Sequence, residues 1–220
     1  TMREIFIVLF GLKKDELVEV ISAEITSLQN DDFDSNTINS VSWVVGSLSK
    51  AISDDENFNL MGEIIPVFLS LIENENPTND PTIEEFKFTA SKALLFLCSQ
   101  EAKYFRSNPG FLNSLIQIIF QFFVSDESTL NIIAIHTFTL LSKSCKQAFI
   151  TPIPPSNRTI LDDILENFLD IIDQMKPEHR CSFTAAVADI VRTLESTNEV
   201  HQMQFDHFAD CISTIFNQPV

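Results

Sequence analysis

Glycine is scarce in this chain, four residues in 220, beside 20 phenylalanines, one tryptophan and one tyrosine. Folds built on tight turns or on phosphate-cradling loops draw heavily on glycine, so its poverty argues against a turn-rich β fold and favours helices. Gly11, Gly46, Gly62 and Gly110 are too far apart for any two to share a G-x-G-x-x-G or G-x-x-x-x-G-K-[ST] element, and neither nucleotide motif is present. Basic residues are scarce as well. Fourteen Lys and Arg face 31 Asp and Glu, and the resulting net charge of −17 repels a phosphate backbone, so no direct nucleic-acid partner is expected. The four cysteines contain no C-x-x-C spacing, and no signal peptide is recognised, which fits reduced thiols in a cytosolic or nuclear protein. The most apolar runs, residues 5–12 and 111–124, fall short of the roughly 18 to 20 residues that cross a bilayer, so no membrane partner is expected. What the chain does have is apolar side chains, 45% of its residues with a mean hydropathy of +0.11, too many for a disordered acidic tail.

Those apolar residues recur at helical spacing from end to end, and the breaks between them carry cap and turn residues. A short opening helix runs to about Leu12. Helices over 15–29 and 35–53 form a first pair, joined by an acidic turn at Asn30, Asp31 and Asp32. A second pair covers 57–73 and 81–100, with Asp80 placed to cap and Pro81 filling the first helical position, where a missing amide costs nothing. The third pair covers 104–124 and 127–148. Residues 151–157 hold three prolines and read as a connector. Thr159 with Asp162 forms a capping box opening a helix over 160–175, Pro177 starts one running to about Glu195, and Ser196 with Glu199 caps a last helix over 200–216. First helices therefore recur roughly every 40 to 55 residues with two helices per unit, near the period of HEAT repeats. The expected fold is all-α, an α-solenoid of antiparallel helix pairs with right-handed superhelical stacking, and 1–220 as a single array of four to five repeats. The same helices could also build an ordinary bundle.

A search for chemistry returns little. His179 and Cys181 stand two residues apart on a helix, a spacing that points them in different directions, and are read as a surface histidine and a buried thiol. His201 and His207, with Asp206 and Asp210, lack the spacing of a helical metal pair. Glu84 with Glu85 and Asp162 with Asp163 are adjacent on helices and read as solvated faces. No catalytic residue, metal or cofactor is expected, and the chain is not read as an enzyme.

The informative excess is apolar. Residues 111–124 contain no charge, yet Asn113, Ser114, Gln117 and Gln121 mark one polar strip flanked by two apolar stripes. Leu112, Ile116, Ile119, Phe120 and Phe123 form one stripe, and Phe111, Leu115, Ile118 and Phe122 the other. The preceding first helix doubles in the same way, with Ile64, Phe68 and Leu71 beside Ile65, Leu69 and Ile72. One wide face suffices for a solenoid helix. The second stripes are therefore either consumed by neighbouring repeats or enclose an apolar trough suited to a peptide with anchors at i, i+3/i+4 and i+7.

Certain residues carry a resemblance. The run Thr37-Ile-Asn-Ser-Val-Ser-Trp43-Val-Val-Gly46-Ser-Leu-Ser49 resembles the N-T-L-C-W-A-I-G-S-I-S stretch of the exportin-1 family, the receptors for leucine-rich nuclear export signals. Phe105-Arg106, Phe111-Leu112, Thr137-Phe138, Lys143, Cys145, Phe149, Pro177, Phe183, Ala186 and Val187 follow as collinear pieces of the same family. The resemblance implies a fragment from the middle of a much longer receptor. In that family the signal groove lies on the convex surface between first helices of two neighbouring repeats, which align here with 57–73 and 104–124. Carried across position by position, the groove would be lined by Ile65, Leu69, Ile72, Ala90, Leu94, Phe111, Leu115, Ile119 and Phe122. The family's reactive groove cysteine aligns with Ile72, which implies insensitivity to leptomycin-type electrophiles, and one of its rim lysines aligns with Ile118, which leaves the rim less basic. Implied partners are cargo proteins with leucine-rich export signals, Ran-GTP in the full-length context, and nucleoporins, with localisation to nucleus and cytoplasm by shuttling through the pore. The alternative reading is a HEAT-type import receptor or scaffold whose acidic surface, at a net charge of −17, binds basic protein partners.

Overall fold

The computed structural model describes residues 2–28, 35–52, 58–73, 81–194 and 198–217. The fold is an all-α helical repeat, in two compact units, residues 1–101 and 102–220. Among the described residues the sole β-type pairing is a single antiparallel bridge between Ile153 and Arg158.

The first unit contains α1 (Met2–Leu12), α2 (Lys14–Ser27), α3 (Ser35–Ile52), α4 (Phe58–Glu73) and α5 (Pro81–Gln100). Second helices stack on second helices, α3 along α5, and first helices on first, α2 on α4, while α5 also packs on its own partner α4. That neighbour pattern is the one a repeat array produces. The core runs through Ile25, Ile38, Leu48, Ile64, Phe68 and Leu97, all essentially without solvent exposure. Pro66 sits inside α4 and is exposed, so the backbone bond its missing N–H forgoes is on the solvent side. On α1, Phe10 is buried and Phe6 meets Trp43 edge-on at 5.4 Å, whereas Ile5, Val8 and Leu12 are exposed.

The second unit contains α6 (Ala102–Ser107), α7 (Pro109–Phe123), α8 (Ser128–Ser144), α9 (Lys146–Phe149), α10 (Ile160–Glu166), α11 (Phe168–Gln174), α12 (Pro177–Val191) and α13 (Glu199–Asn217). Again like packs on like: α12 lies along α8, and α13 along α10 and α11. Phenylalanines hold its centre. Phe138 and Phe183 lie 5.2 Å apart, Phe123 stands edge-on to Phe183 at 5.7 Å, Phe168 stacks on Phe183 at 5.6 Å, and Phe208 reaches Phe168 at 5.5 Å. Edge-on and stacked pairs of this kind contribute about 0.5–1.5 kcal/mol each beyond the area they bury.

Three helices expected to be continuous are broken. The stretch 104–124 divides at Asn108, because Pro109 pushes its predecessor out of the helical region (φ −131°, ψ 70°), and the Asn108 amide donates to Tyr104 O at 2.9 Å to close α6. The stretch 127–148 divides at Cys145 (φ −117°, ψ 23°), whose thiol donates to Ala102 O at 3.0 Å, while Arg106 Nε donates to Ser144 O at 3.0 Å. The stretch 160–175 divides at Asn167, whose amide donates back to Asp163 O at 2.8 Å. Helix α12 ends at Val191 rather than near Glu195. The connector at 151–157 is non-helical and closes through the Ile153–Arg158 bridge, with Asn157 in the left-handed region at φ 54°. The capping box forms: Thr159 Oγ1 accepts from Asp162 N at 3.0 Å, and Asp162 Oδ2 accepts from Thr159 N at 2.8 Å. The expected acidic turn at 30–32 and the caps at Asp80 and Ser196 fall outside the described residues. At the start of α13, Asn198 Oδ1 accepts from Val200 N at 2.9 Å.

Candidate peptide-binding site

The ten residues read as a groove divide between the two units. Ile65, Leu69 and Ile72 recur at steps of four and three along α4, so their side chains share one stripe, and Ala90 and Leu94 are one turn apart on α5. Phe111, Leu115, Ile118, Ile119 and Phe122 lie on α7. Ile65, Ala90, Leu94, Leu115 and Ile119 have no solvent exposure, and Ile118 and Phe122 keep only 4% and 8%. Leu69, Ile72 and Phe111 are half-buried and are the three of the ten that present most surface. None is polar. Among the residues whose exposure is described, the exposed positions of the same two helices are Glu63, Pro66, Ser70 and Glu73 on α4 and Gly110, Ser114, Gln117 and Gln121 on α7, and neither helix contains a lysine or arginine.

One buried amide fixes how α7 ends. Asn131 of α8 has no solvent exposure, and its Nδ2 donates to Phe122 O at 2.6 Å and Ser125 O at 2.9 Å, with Phe123 O at 3.4 Å. Carbonyls at a helix C-terminus lack intrahelical donors, and buried ones need another source. Asn131 supplies it and thereby sets the register of α7 against α8. Sequence reasoning passed over Asn131, because an asparagine inside an apolar helix gives no local sign of which backbone it will reach.

The remaining candidates are placed as follows. Cys181 is exposed and His179 half-buried, so the expectation of a buried thiol is overturned: the face of α12 that packs inward carries Phe183, Ala186, Val187 and Ile190. Asp162 is not a merely solvated carboxylate. Besides its capping role, its Oδ1 accepts from Gln204 Nε2 of α13 at 2.6 Å. Burial works against the ionised form of Asp162, but hydrogen bonds from Thr159 and Gln204 and the charge of Arg158 outweigh it, and the carboxyl lies below its ordinary range. Among the described residues no group of three His, Cys, Asp or Glu side chains is gathered as a metal site, and no helix is long and apolar enough to cross a membrane.

Residues 29–79 match the family model CRM1 / Exportin repeat 3. The chain is similar to exportin-1 proteins. It is 22% identical to Exportin-1 of Drosophila melanogaster over 218 residues, 99% of this chain and 20% of that protein. Protein EXPORTIN 1A of Arabidopsis thaliana is 20% identical over 192 residues, 87% of this chain and 17% of its own length, and Exportin-1 of Dictyostelium discoideum is 19% identical over 192 residues, 87% of this chain and 18% of its own. The chain thus spans about a fifth of the length of these relatives.

Proposed function

We propose that the chain is a segment of a nuclear export receptor that binds leucine-rich export signals of cargo proteins without catalysis. The observation that carries this reading is the similarity to exportin-1 proteins over 99% of the chain, through both helices to which the resemblance assigns the groove. The resemblance assigns signal binding to Ile65, Leu69, Ile72, Ala90 and Leu94 of the first unit and to Phe111, Leu115, Ile118, Ile119 and Phe122 of the second. Cargo, Ran-GTP and nucleoporins are the partners of the full-length receptor, which shuttles between nucleus and cytoplasm.

The energetics suit a regulated peptide site. Four buried anchors yield about 6 to 12 kcal/mol gross, and several kcal/mol are lost to association and ordering. Affinity on the order of micromolar or weaker follows. Ran-GTP strengthens it by reciprocal coupling of the two sites.

The test is fluorescence anisotropy of a labelled leucine-rich export peptide titrated with the chain at low and high salt. Leu115 is fully buried, so a charge there would disturb folding as well as binding. Ile72→Glu, at a half-buried position, is the cleaner variant. Saturable, salt-resistant binding that Ile72→Glu abolishes supports the groove. Binding equal in Ile72→Glu, or falling steeply with salt, assigns the peptide to the acidic surface instead.

A further inference from the structure

An open cavity of about 380 Å³ lies within the second unit, where the connector, α10 and α13 meet. It owes nothing to the apolar stripes of α4 and α7. Its apolar lining is Leu165, which is buried, with Val200 and Met203, which are exposed. Its charged lining is Arg158, Asp162 and Glu166. Arg158 Nη2 is committed to Glu166 Oε2 at 2.5 Å and Asp163 Oδ1 at 2.8 Å, so one cation is set among three carboxylates and the local balance is negative. His207 stands one turn beyond Met203 and also lines the space.

Gln204 adds an unmet acceptor. It is 6% exposed and lines the cavity, and while its Nε2 donates to Asp162 Oδ1 and, at 3.3 Å, to Thr159 Oγ1, its Oε1 accepts from nothing. Buried acceptors are nearly always satisfied, and an orphan is costly enough to call for an explanation. What is missing is a donor. The combination of an aliphatic lining, surplus carboxylate and an unmet acceptor fits one side-chain chemistry: a hydrocarbon stem ending in a cation with several N–H groups.

We propose that this cavity is a docking site for an arginine side chain of a protein partner, its methylenes on Leu165, Val200 and Met203 and its guanidinium between Glu166 and the amide of Gln204. A guanidinium presents five N–H donors in a plane and serves a carboxylate and an amide oxygen together, which a single ammonium does with less geometric match. An anion is repelled by the carboxylates, and a bare cation leaves the apolar lining unused. Gln204 Oε1 is covered in the unliganded chain, so docking turns the Gln204 amide or moves Met203, which is unbranched and 72% exposed. The net charge of −17 favours approach of a basic partner at low salt. This site is independent of the export-signal groove.

The probe is the pentapeptide Ac-Ala-Ala-Arg-Ala-Ala-NH2, titrated into the full chain carrying ¹³C-methyl methionine and ¹⁵N, with the Met203 methyl and the Gln204 side-chain amide followed by NMR. Both signals should shift and saturate. Replacing arginine in the peptide by citrulline, or Glu166 by Gln, should weaken binding about fivefold, the worth of one partly exposed ion pair. Met203→Lys, at an exposed position that leaves the fold intact, should tether an ammonium in the cavity and suppress the response of the Gln204 amide. The proposal is overturned if the arginine peptide moves neither signal, or if norleucine or glutamate peptides move them equally. A lysine peptide that matches arginine would refute the guanidinium-specific geometry.

Discussion

The α3 backbone at Gly46 lies directly against the ring of Phe96 on α5: a Cβ at Gly46 would stand 2.4 Å from Phe96 Cε1. Alanine is worth about 0.5–1 kcal/mol more than glycine in a helix interior, yet here it forces the ring aside. Gly46→Ala should therefore destabilise by about 1–3 kcal/mol net. In a Phe96→Ala background the same change should be neutral or stabilising. Urea unfolding of the four members of this cycle reads the coupling directly, and additive effects would mean that the two helices adjust freely.

Replacing Asn131 by Leu keeps a similar volume but takes the side-chain donor from Ser125 O and leaves Phe122 O with its backbone donors alone, the Ser125 N–H at 3.4 Å among them. A loss of about 1–3 kcal/mol is expected, the cost of one acceptor left without its donor. Hydrogen exchange should also rise in the amides at the start of α8. Asn131→Leu stability within error of the parent would show that the turn finds other donors.

The Thr159–Asp162 box makes stability depend on pH in a definite direction. Because the Asp162 carboxyl lies below its ordinary value of 3.8 in the folded chain, its contribution is present in full above that value and is lost as the pH falls through the lower, folded one. Asp162→Asn should be destabilising at pH 7 by about 0.5–2 kcal/mol, the usual range for a lost cap. The gap between variant and parent should shrink as the pH approaches 3. Thermal unfolding at both pH values checks the sign, and a gap that widens in acid would contradict it.

The cysteines differ in accessibility: Cys98, Cys145 and Cys211 are buried and Cys181 is exposed. Burial pushes the Cys145 thiol up to about 11, against the opposing charge of Arg106, and the group also donates to Ala102 O, so it should resist alkylation in the native chain. Cys181, exposed on α12, should react first with iodoacetamide, as peptide mass mapping will show. The parent should form no adduct with leptomycin-type electrophiles at the groove, whereas Ile72→Cys should form one. An adduct at Ile72→Cys that an export peptide does not protect against would place the groove elsewhere.

Helix order, the capping box and the connector were legible in the sequence because each is written within four or five neighbouring residues. Pro109 was an available signal for the break at Asn108, but the apolar rhythm continues across a single non-helical residue and conceals it. The break at Cys145 had no local signal. Its partners, Ala102 and Arg106, are roughly 40 residues away in sequence and meet it only when α6 packs on α8 and α9. For the same reason the meeting of Gln204 with Asp162, 42 positions earlier, could not be read from either helix alone. Periodicity points to some of the groove residues and resemblance to the others, and periodicity reports which side chains share a face without saying what covers it.

The Asn131 amide acts as a ruler. With one side chain spanning the carbonyls on both sides of Val124, the connection from α7 to α8 has its length fixed to the residue. Inserting or deleting a residue between Ser125 and Ser128 moves those carbonyls out of reach, whereas the exposed stretch 154–157 can lengthen without disturbing a buried group. Insertions and deletions in homologous chains should accordingly avoid the first of these loops and collect in the second, a pattern that aligned sequences of close relatives would show at a glance.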